Sequence, residues 1–326
     1  MPAAPPVEAR RRLHVVTGKG GTGKTTVAAA LAIALASGGR RVLLMEVEDR
    51  QGIAQLFDTP PLPYEERPVA VAPGHGQVVA LAVDAEEALL DYLDMFYNMR
   101  RAGRMLKRMG AIDFATTIAP GVRDVLLTGK LKEAVDRGAK TGRRVYDAVV
   151  LDAPPTGRIA RFLNVTAEVG TLTRAGPIKT QSDSVTRVIR SPQTAVHLVT
   201  VLEEMPVQET VDGVAELRAA DIPVGHVIVN MHRQPYPIPA RLGRTTVRAG
   251  LRAAGLPADK PVLDALLAEA ADLRSRIALQ ERERIELDRL GLPIAALPML
   301  TGAVDLGGLY RLAETLAAQG VSRSVG

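Results

Sequence analysis

The stretch that decides the fold is VVTGKGGTGKTTVAAALAIAL, residues 15–35. Its first residues are apolar and β-branched, which is typical of a buried strand, and its Ala-rich end is typical of a helix. Between them, GKGGTGKT at 18–25 satisfies the pattern G-x-x-x-x-G-K-[ST]. In this pattern the backbone N–H groups of a glycine-rich loop surround phosphate groups at a helix N-terminus. The stretch therefore predicts a phosphate-binding loop.

The residue types of this loop suit the parts of a nucleoside triphosphate. We expect Lys24 to contact the β- and γ-phosphates and the Thr25 hydroxyl to bind Mg²⁺, so that ATP and Mg²⁺ are the predicted cofactors. The residues that we assign to nucleotide binding in the loop are Gly18, Lys19, Gly20, Gly21, Thr22, Gly23, Lys24, Thr25 and Thr26.

Apolar runs rich in β-branched residues alternate with helical patterns along most of the chain. The predicted strands cover residues 13–17, 41–47, 78–83, 145–152, 194–201, 224–230 and 293–298. This alternation predicts an α/β fold, a doubly wound and mostly parallel sheet with helices on both faces. We expect residues 1–11 to form a disordered tail and residues 12–320 to form one ATPase domain.

Two segments interrupt the alternation. Residues 85–142 hold far more helix-like sequence than one crossover between strands requires, which predicts an inserted helical subdomain. Residues 163–193 predict a second, partly helical insertion. Within the first, residues 91–110 (DYLDMFYNMRRAGRMLKRMG) concentrate four methionines among basic residues. This helix could be ordinary core, a groove for a hydrophobic protein client, or a basic helix on a membrane surface.

Composition excludes several functions. The chain has no cysteine, which rules out zinc bound by thiolates and arsenite bound by thiols. A net charge of +5 over 326 residues gives no reason to expect nucleic-acid binding. There is no signal-peptide pattern and no run of 18 apolar residues, so we expect a cytoplasmic protein, with association with a membrane through a partner as an open alternative.

Lys19 is a lysine beyond those that phosphate binding requires. KGGTGKTT resembles the deviant phosphate loop K-G-G-x-G-K-[ST] of the group that includes ArsA, ParA, MinD and the nitrogenase iron protein. In that group the extra lysine crosses a dimer interface and contacts the nucleotide of the opposite subunit. The resemblance implies a catalytic role for Lys19 in trans and a second ATPase chain, either a copy or a paralogue.

Later segments resemble the ArsA and Get-pathway branch. LDAPPTGRIARFL (151–163) resembles its switch II sequence D-T-A-P-T-G-H-T-x-R-x-L, which implies that Asp152 holds the Mg²⁺ shell. APGVRDVL (119–126) and MPVQET (205–210) resemble further segments of this branch. VIVNMHR (227–233) and the stretch from 297 to 312 imply that Asn230 reads adenine and that Pro298 flanks the base. The resemblance covers about residues 12–318 and is nearest to the paired, cysteine-free ArsA-like ATPases of actinobacteria.

The chain departs from this branch at switch I, where D-P-A-H-S/N-L is replaced by EVEDRQGIAQLF (46–57). Alignment on AQLF gives Glu48 the water-orienting position, and alignment on the D-P-Q-G of the ParA-like branch gives it to Asp49. Either carboxylate can accept a hydrogen bond from water. The resemblance implies an ATP-hydrolysing dimeric switch that binds a protein client or regulatory partner. The alternatives are a ParA/MinD-like positioning ATPase and a nucleotide-binding scaffold with little turnover.

Overall fold

The computed structural model describes residues 11–48, 50–97, 120–139, 142–172, 177–233, 239 and 242–322. Within them, eight strands form one sheet in the order β3-β4-β2-β5-β1-β6-β7-β8. The strands are β1 (Leu13–Gly18), β2 (Arg41–Glu46), β3 (Arg67–Ala72), β4 (Gly76–Ala82), β5 (Ala148–Asp152), β6 (Thr194–Thr200), β7 (Val224–His232) and β8 (Ile294–Pro298). All neighbouring strands are parallel except β3 and β4. The predicted α/β fold with a mostly parallel sheet is confirmed.

Ten helices lie in the described residues. They are α1 (Lys24–Ala36), α2 (Gly52–Leu56), α3 (Ala85–Tyr97), α4 (Pro120–Asp136), α5 (Thr156–Leu172), α6 (Pro177–Ile189), α7 (Glu204–Ala219), α8 (Arg244–Ala253), α9 (Lys260–Asp288) and α10 (Leu306–Ala318). Helices α1 and α10 cover one face of the sheet, and α4 to α7 cover the other.

Helix α1 is enclosed along most of its length. Every residue from Val27 to Ala36 is buried, because the helix is packed between the sheet and α10. An all-apolar helix needs such surroundings on every side, and its small Ala side chains allow close packing. The buried helix holds the loop that precedes it in a fixed position.

Strand β3 is absent from the seven strands that the sequence predicts. It pairs antiparallel with β4 at the edge of the sheet, through the turn at residues 73–75. Val71 is 63% exposed, and Pro68 interrupts the pattern that a central strand would show. A short edge strand with one half-buried face carries too weak an apolar signal for the sequence to reveal it.

Both predicted insertions contain helices. The segment 85–142 contributes α3 and α4, and the segment 163–193 contributes most of α5 and all of α6. The greater part of the methionine-rich segment 91–110, like residues 1–10 of the predicted tail, lies outside the described residues. The division into an ATPase domain and inserted subdomains stays a prediction.

Candidate nucleotide site

The predicted phosphate loop lies between β1 and α1, at the carboxyl edge of the sheet. The Thr22 hydroxyl donates to the Lys19 carbonyl at 2.8 Å, which closes the loop into a tight turn. Gly23 has a φ of 84°, and a Cβ atom there would lie 2.4 Å from Asn230 Nδ2. A Cβ atom at Gly18 would lie 2.2 Å from the Val199 carbonyl oxygen. Only glycine therefore fits at these two positions.

Thr25 and Asp152 form a direct contact between the phosphate loop and the end of β5. The Thr25 hydroxyl donates to Asp152 Oδ2 at 2.6 Å, because β5 runs parallel to β1 and ends beside the loop. The other carboxylate oxygen, Asp152 Oδ1, is buried and has no hydrogen-bond partner within the described part of the chain. Burial raises the pKa of Asp152 to about 6; the Thr25 hydrogen bond opposes this shift, and the nearby Glu46 charge adds to it.

These two residues fit a magnesium ion. A hydroxyl and a carboxylate are the hard oxygen ligands that Mg²⁺ prefers. A cation beside Asp152 would relieve the unpaired oxygen Oδ1 and stabilise the ionised carboxylate, which burial alone disfavours. Lys24 is buried in the first turn of α1, next to this pair.

Glu46 is a site residue that the sequence analysis missed. It is buried at the carboxyl end of β2, paired in register with Asp152. Its carboxylate accepts hydrogen bonds from the backbone N–H groups of Gly52 at 2.9 Å and Ile53 at 3.4 Å. Glu46 thereby fixes the start of α2 and the switch I segment before it. The available signal was a single acidic residue at the end of the buried run RVLLME.

Of the two switch I candidates, Glu48 and Asp49, the structure describes only Glu48. Glu48 is partly buried, with 23% of its side chain exposed, and its Oε2 lies 3.9 Å from Arg50 Nε. The Glu48 charge also acts on Asp152, which places it in the same electrostatic environment. Asp49 lies outside the described residues, so the choice between the two stays open.

Lys19 extends away from its own loop. Its ammonium group forms an ion pair with Glu209 Oε1 on α7. The second carboxylate oxygen, Glu209 Oε2, accepts from the Thr156 hydroxyl at 3.3 Å. Glu209 thus joins the loop lysine to the segment that follows β5. The sequence analysis quoted MPVQET around this residue but gave Glu209 no role.

The segment after Asp152 is held at both ends. The Thr17 hydroxyl donates to the Pro154 carbonyl at 2.7 Å, which anchors the segment to β1. Arg158 Nη2 lies 3.8 Å from Asp124 Oδ1, which connects α5 to α4. Burial raises the pKa of Asp124, and the Arg158 charge opposes this rise. The segment therefore lies between the phosphate loop and the helices of the first insertion.

Asn230 and Pro298 lie at the same carboxyl edge. Asn230 is buried at the end of β7, and its Nδ2 donates to the Thr22 carbonyl at 2.9 Å. Pro298 is exposed at the end of β8, opposite His232. In this structure Asn230 supports the phosphate loop, which the sequence analysis did not anticipate. Adenine recognition by these two residues stays a prediction.

A glycine-rich loop at the head of a buried helix, with an acidic residue at the end of the adjacent parallel strand, defines a phosphate-loop nucleotide hydrolase. The sequence model of the anion-transporting ATPase family matches residues 11–191. The chain is 54% identical over 318 residues to a protein named ATPase BagA of Mycobacterium tuberculosis, covering 95% of this chain and 94% of that protein. It is 30% identical over 152 residues to an arsenical pump-driving ATPase of Acidiphilium multivorum, covering 46% of this chain and 24% of that protein.

The chain belongs to the anion-transporting ATPase family, and it is an ATP-hydrolysing enzyme. This confirms the resemblance to ArsA-like ATPases on which the site residues were assigned. Across the residues that the structure describes, no helix is long and apolar enough to cross a membrane.

Proposed function

We propose that this ATPase is a dimeric switch that couples binding and hydrolysis of Mg²⁺-bound ATP to binding and release of a protein partner. The observation that carries the proposal is the chain of contacts from Lys19 through Glu209 to Thr156. It connects the phosphate loop to the segment after β5, so a change at the phosphates is transmitted to α5. A nucleotide switch requires a contact that differs between its nucleotide states, and we propose these contacts for that role.

The proposed reaction is transfer of the γ-phosphoryl group of ATP to water. Lys24 binds the β- and γ-phosphates, and the loop N–H groups hold the phosphate oxygens. Thr25 and, through water, Asp152 would hold Mg²⁺, and the ion would neutralise charge on the phosphates. Glu48 or Asp49 accepts a hydrogen bond from the attacking water and orients it.

Lys19 acts on the nucleotide of the partner chain in this proposal. Its ammonium group pairs with Glu209 in the single chain and does not point into the phosphate loop to which Lys19 belongs. A cation that reaches the γ-phosphate only when two chains meet stabilises charge in the transition state, as an arginine finger does. The active unit is then a dimer of two copies or of two paralogues.

The partner of the switch is proposed to bind at the first insertion. The contact between Arg158 and Asp124 connects α5 to α4, and α4 packs beside α3, which leads into the methionine-rich segment 91–110. Methionine suits an adaptable apolar groove, so the proposed client is a hydrophobic protein segment. The proposed location is the cytoplasm, with membrane association only through a partner.

The first test is the effect of Lys24→Ala on nucleotide binding. Removing the ammonium group should weaken ATP affinity by about a hundredfold or more, because charged hydrogen bonds to two phosphate groups are lost. Isothermal titration with ATP and Mg²⁺ measures the change. Lys260→Ala, which removes an exposed lysine at the start of α9, is the matched control and should bind ATP normally. Equal affinity in both variants would refute the assigned role of the loop.

The scaffold alternative makes a different kinetic prediction, because the altered switch I could support binding without turnover. Rapid-mixing and steady-state phosphate release by the wild-type chain distinguish the two. Sustained phosphate release whose rate per chain rises with chain concentration supports a dimeric switch. Tight ATP binding with hydrolysis at the uncatalysed rate supports a scaffold. A positioning ATPase would in addition bind DNA or lipid vesicles in its ATP state.

A further inference from the structure

An arginine-lined cleft lies at the amino ends of β1, β2 and β5, at the edge of the sheet opposite the nucleotide site. Its volume is about 780 Å³, and it is lined by four arginines, Arg12, Arg41, Arg143 and Arg144, together with Asp147. The strand β1 separates Arg12 from the phosphate loop by six residues, which is about 20 Å of extended chain. The cleft is therefore too far away to belong to the ATP site.

Two of the four guanidinium groups are held in place by Tyr146. Arg12 Nη2 donates to the Tyr146 carbonyl at 2.7 Å, and the Arg41 guanidinium lies 5.1 Å from the centroid of the Tyr146 ring. The ring is itself fixed, because its hydroxyl donates to Glu66 Oε2 at 2.5 Å. Side chains held in this way lose little conformational freedom when they bind a ligand.

The positive charge of the cleft is poorly compensated. None of its four arginines forms an ion pair with any residue that the structure describes, and the buried Arg12 Nε has no hydrogen-bond partner there. Asp147 Oδ2 accepts from the backbone N–H of Arg41 at 2.8 Å. Burial lowers the pKa of Arg12, and the charge of Arg144 lowers it further, although Asp147 and Asp136 oppose this.

The basic surface continues beside the cleft. A second cavity of about 250 Å³ shares Arg144 with it and is also lined by Lys132 and Arg187. Asp136 in this cavity already pairs with Lys132 at 3.3 Å. The charge available to a ligand is therefore positive across both cavities.

We propose that the arginine-lined cleft binds a multivalent phosphate group, either of a free phosphorylated compound or of a lipid headgroup. Planar guanidinium groups bind phosphate oxygens through paired hydrogen bonds, and four of them around one cavity match a dianion or a diphosphate. The bound anion supplies the acceptor that Arg12 Nε lacks and relieves the repulsion between Arg12 and Arg144. This site is separate from the proposed switch function and stands without it.

The experiment titrates inorganic pyrophosphate into the Lys24→Ala chain without Mg²⁺, so that the phosphate loop does not contribute. We expect saturable binding at one site, weakened about tenfold or more by Arg143→Gln combined with Arg144→Gln. These two arginines lie on an exposed turn, so their replacement leaves the core unchanged. Arg252→Gln, which removes an exposed arginine from α8, is the control and should retain the affinity.

Co-sedimentation distinguishes the two sources of phosphate. Binding to phosphatidylcholine vesicles that contain phosphatidic acid, lost in the double variant and competed by pyrophosphate, supports a headgroup as ligand. Pyrophosphate binding without vesicle binding supports a free phosphorylated compound. The proposal is overturned if pyrophosphate shows no saturable binding, or if the double variant and Arg252→Gln bind it equally.

Discussion

Two lysines of one loop, five residues apart, have different surroundings. Lys24 is buried at the start of α1, whereas Lys19 is about one-third exposed and pairs with Glu209 on another helix. A cation that contacts the phosphates of bound ATP chiefly raises affinity, and a cation that arrives only in the transition state chiefly raises the rate. We therefore expect loss of Lys24 chiefly to weaken ATP binding and loss of Lys19 chiefly to slow hydrolysis.

Glu209→Gln tests whether Glu209 holds Lys19 within its own chain. The substitution removes the ion pair while keeping a side chain that can accept from Thr156. A partly exposed ion pair contributes about 0.2–1 kcal/mol, so nucleotide-dependent dimerisation should strengthen by about 1.4- to fivefold for each pair that is removed. Analytical ultracentrifugation with ADP and aluminium fluoride measures the dimerisation constant.

The control for this variant is Glu216→Gln, an exposed carboxylate on the same helix. It removes the same charge from α7 without touching Lys19, and it should leave the dimerisation constant unchanged. A weaker dimer in Glu209→Gln would mean that Glu209 is needed in the assembled state, and the proposed restraint of Lys19 would be wrong.

Among the strands, the neighbouring β1, β6 and β7 carry a row of three histidines. His14 Nδ1 and His197 Nε2 lie 3.0 Å apart, with their rings stacked at 5.3 Å, and the His226 backbone N–H donates to His197 Nδ1 at 3.2 Å. Burial lowers the pKa of His14 to about 3, with a further contribution from the Arg11 charge. Burial also lowers the pKa of His197, followed by the effect of the His14 charge.

This row predicts a loss of stability in acid. The pKa of His14 is lower in the folded chain (about 3) than the ordinary histidine value of 6.5, so the unfolded chain binds more protons between these pH values. The free energy of unfolding should fall as the pH decreases through this window. His14→Gln should reduce the slope by about 1.4 kcal/mol per pH unit, since one titrating group is removed.

Urea unfolding at a series of pH values measures this slope. His75→Asn is the control, because His75 is exposed in the turn between β3 and β4, with a φ of 63° that Asn tolerates. It should keep the wild-type slope. A slope that is equally steep in His14→Gln would show that other groups dominate the acid response.

The elements that the sequence predicted are those with strong local patterns. The central strands are continuous apolar runs, and the loop at 18–25 joins a strand to a helix in a fixed order, so both were predictable. Strand β3 was not, because its stability comes from pairing with β4 and not from its own pattern.

The site residues likewise divide into those that a motif predicts and those that it does not. Thr25 and Asp152 were assigned from motifs, and the structure brings them to 2.6 Å. Glu209 was missed because its role depends on a partner 190 residues away. Glu46 was missed because its hydrogen bonds to the backbone of Gly52 and Ile53 depend on how the loop after β2 folds. A carboxylate that anchors a loop or restrains a lysine has no spacing rule that a single sequence could reveal.

For the whole molecule, the key question is whether one chain contains a complete site. It has a single phosphate-loop motif, and its extra lysine contacts α7 and not its own loop. In the proposed mechanism, such a chain completes its site only when a second chain supplies a cation. The nucleotide site lies at an edge of the sheet, where a second chain can approach it.

Two inactive variants can test this arrangement directly. Lys19→Ala should bind ATP but not assist a partner, and Lys24→Ala should bind ATP poorly but still carries Lys19. Each alone should lose turnover, Lys19→Ala by about a thousandfold if its lysine acts as an arginine finger does. Mixed together, the Lys24→Ala chain should supply Lys19 to the ATP on the Lys19→Ala chain and restore phosphate release.

The control mixes Lys19→Ala with a chain that carries both substitutions, which offers no lysine in trans and should restore nothing. Light scattering with ADP and aluminium fluoride establishes that mixed dimers form in both cases. If mixed dimers form and the first mixture stays inactive, Lys19 acts within its own chain, and its pairing with Glu209 must break without help from a partner. Recovery in the first mixture alone is explained only by a lysine that crosses between chains, because neither variant holds both groups at one ATP.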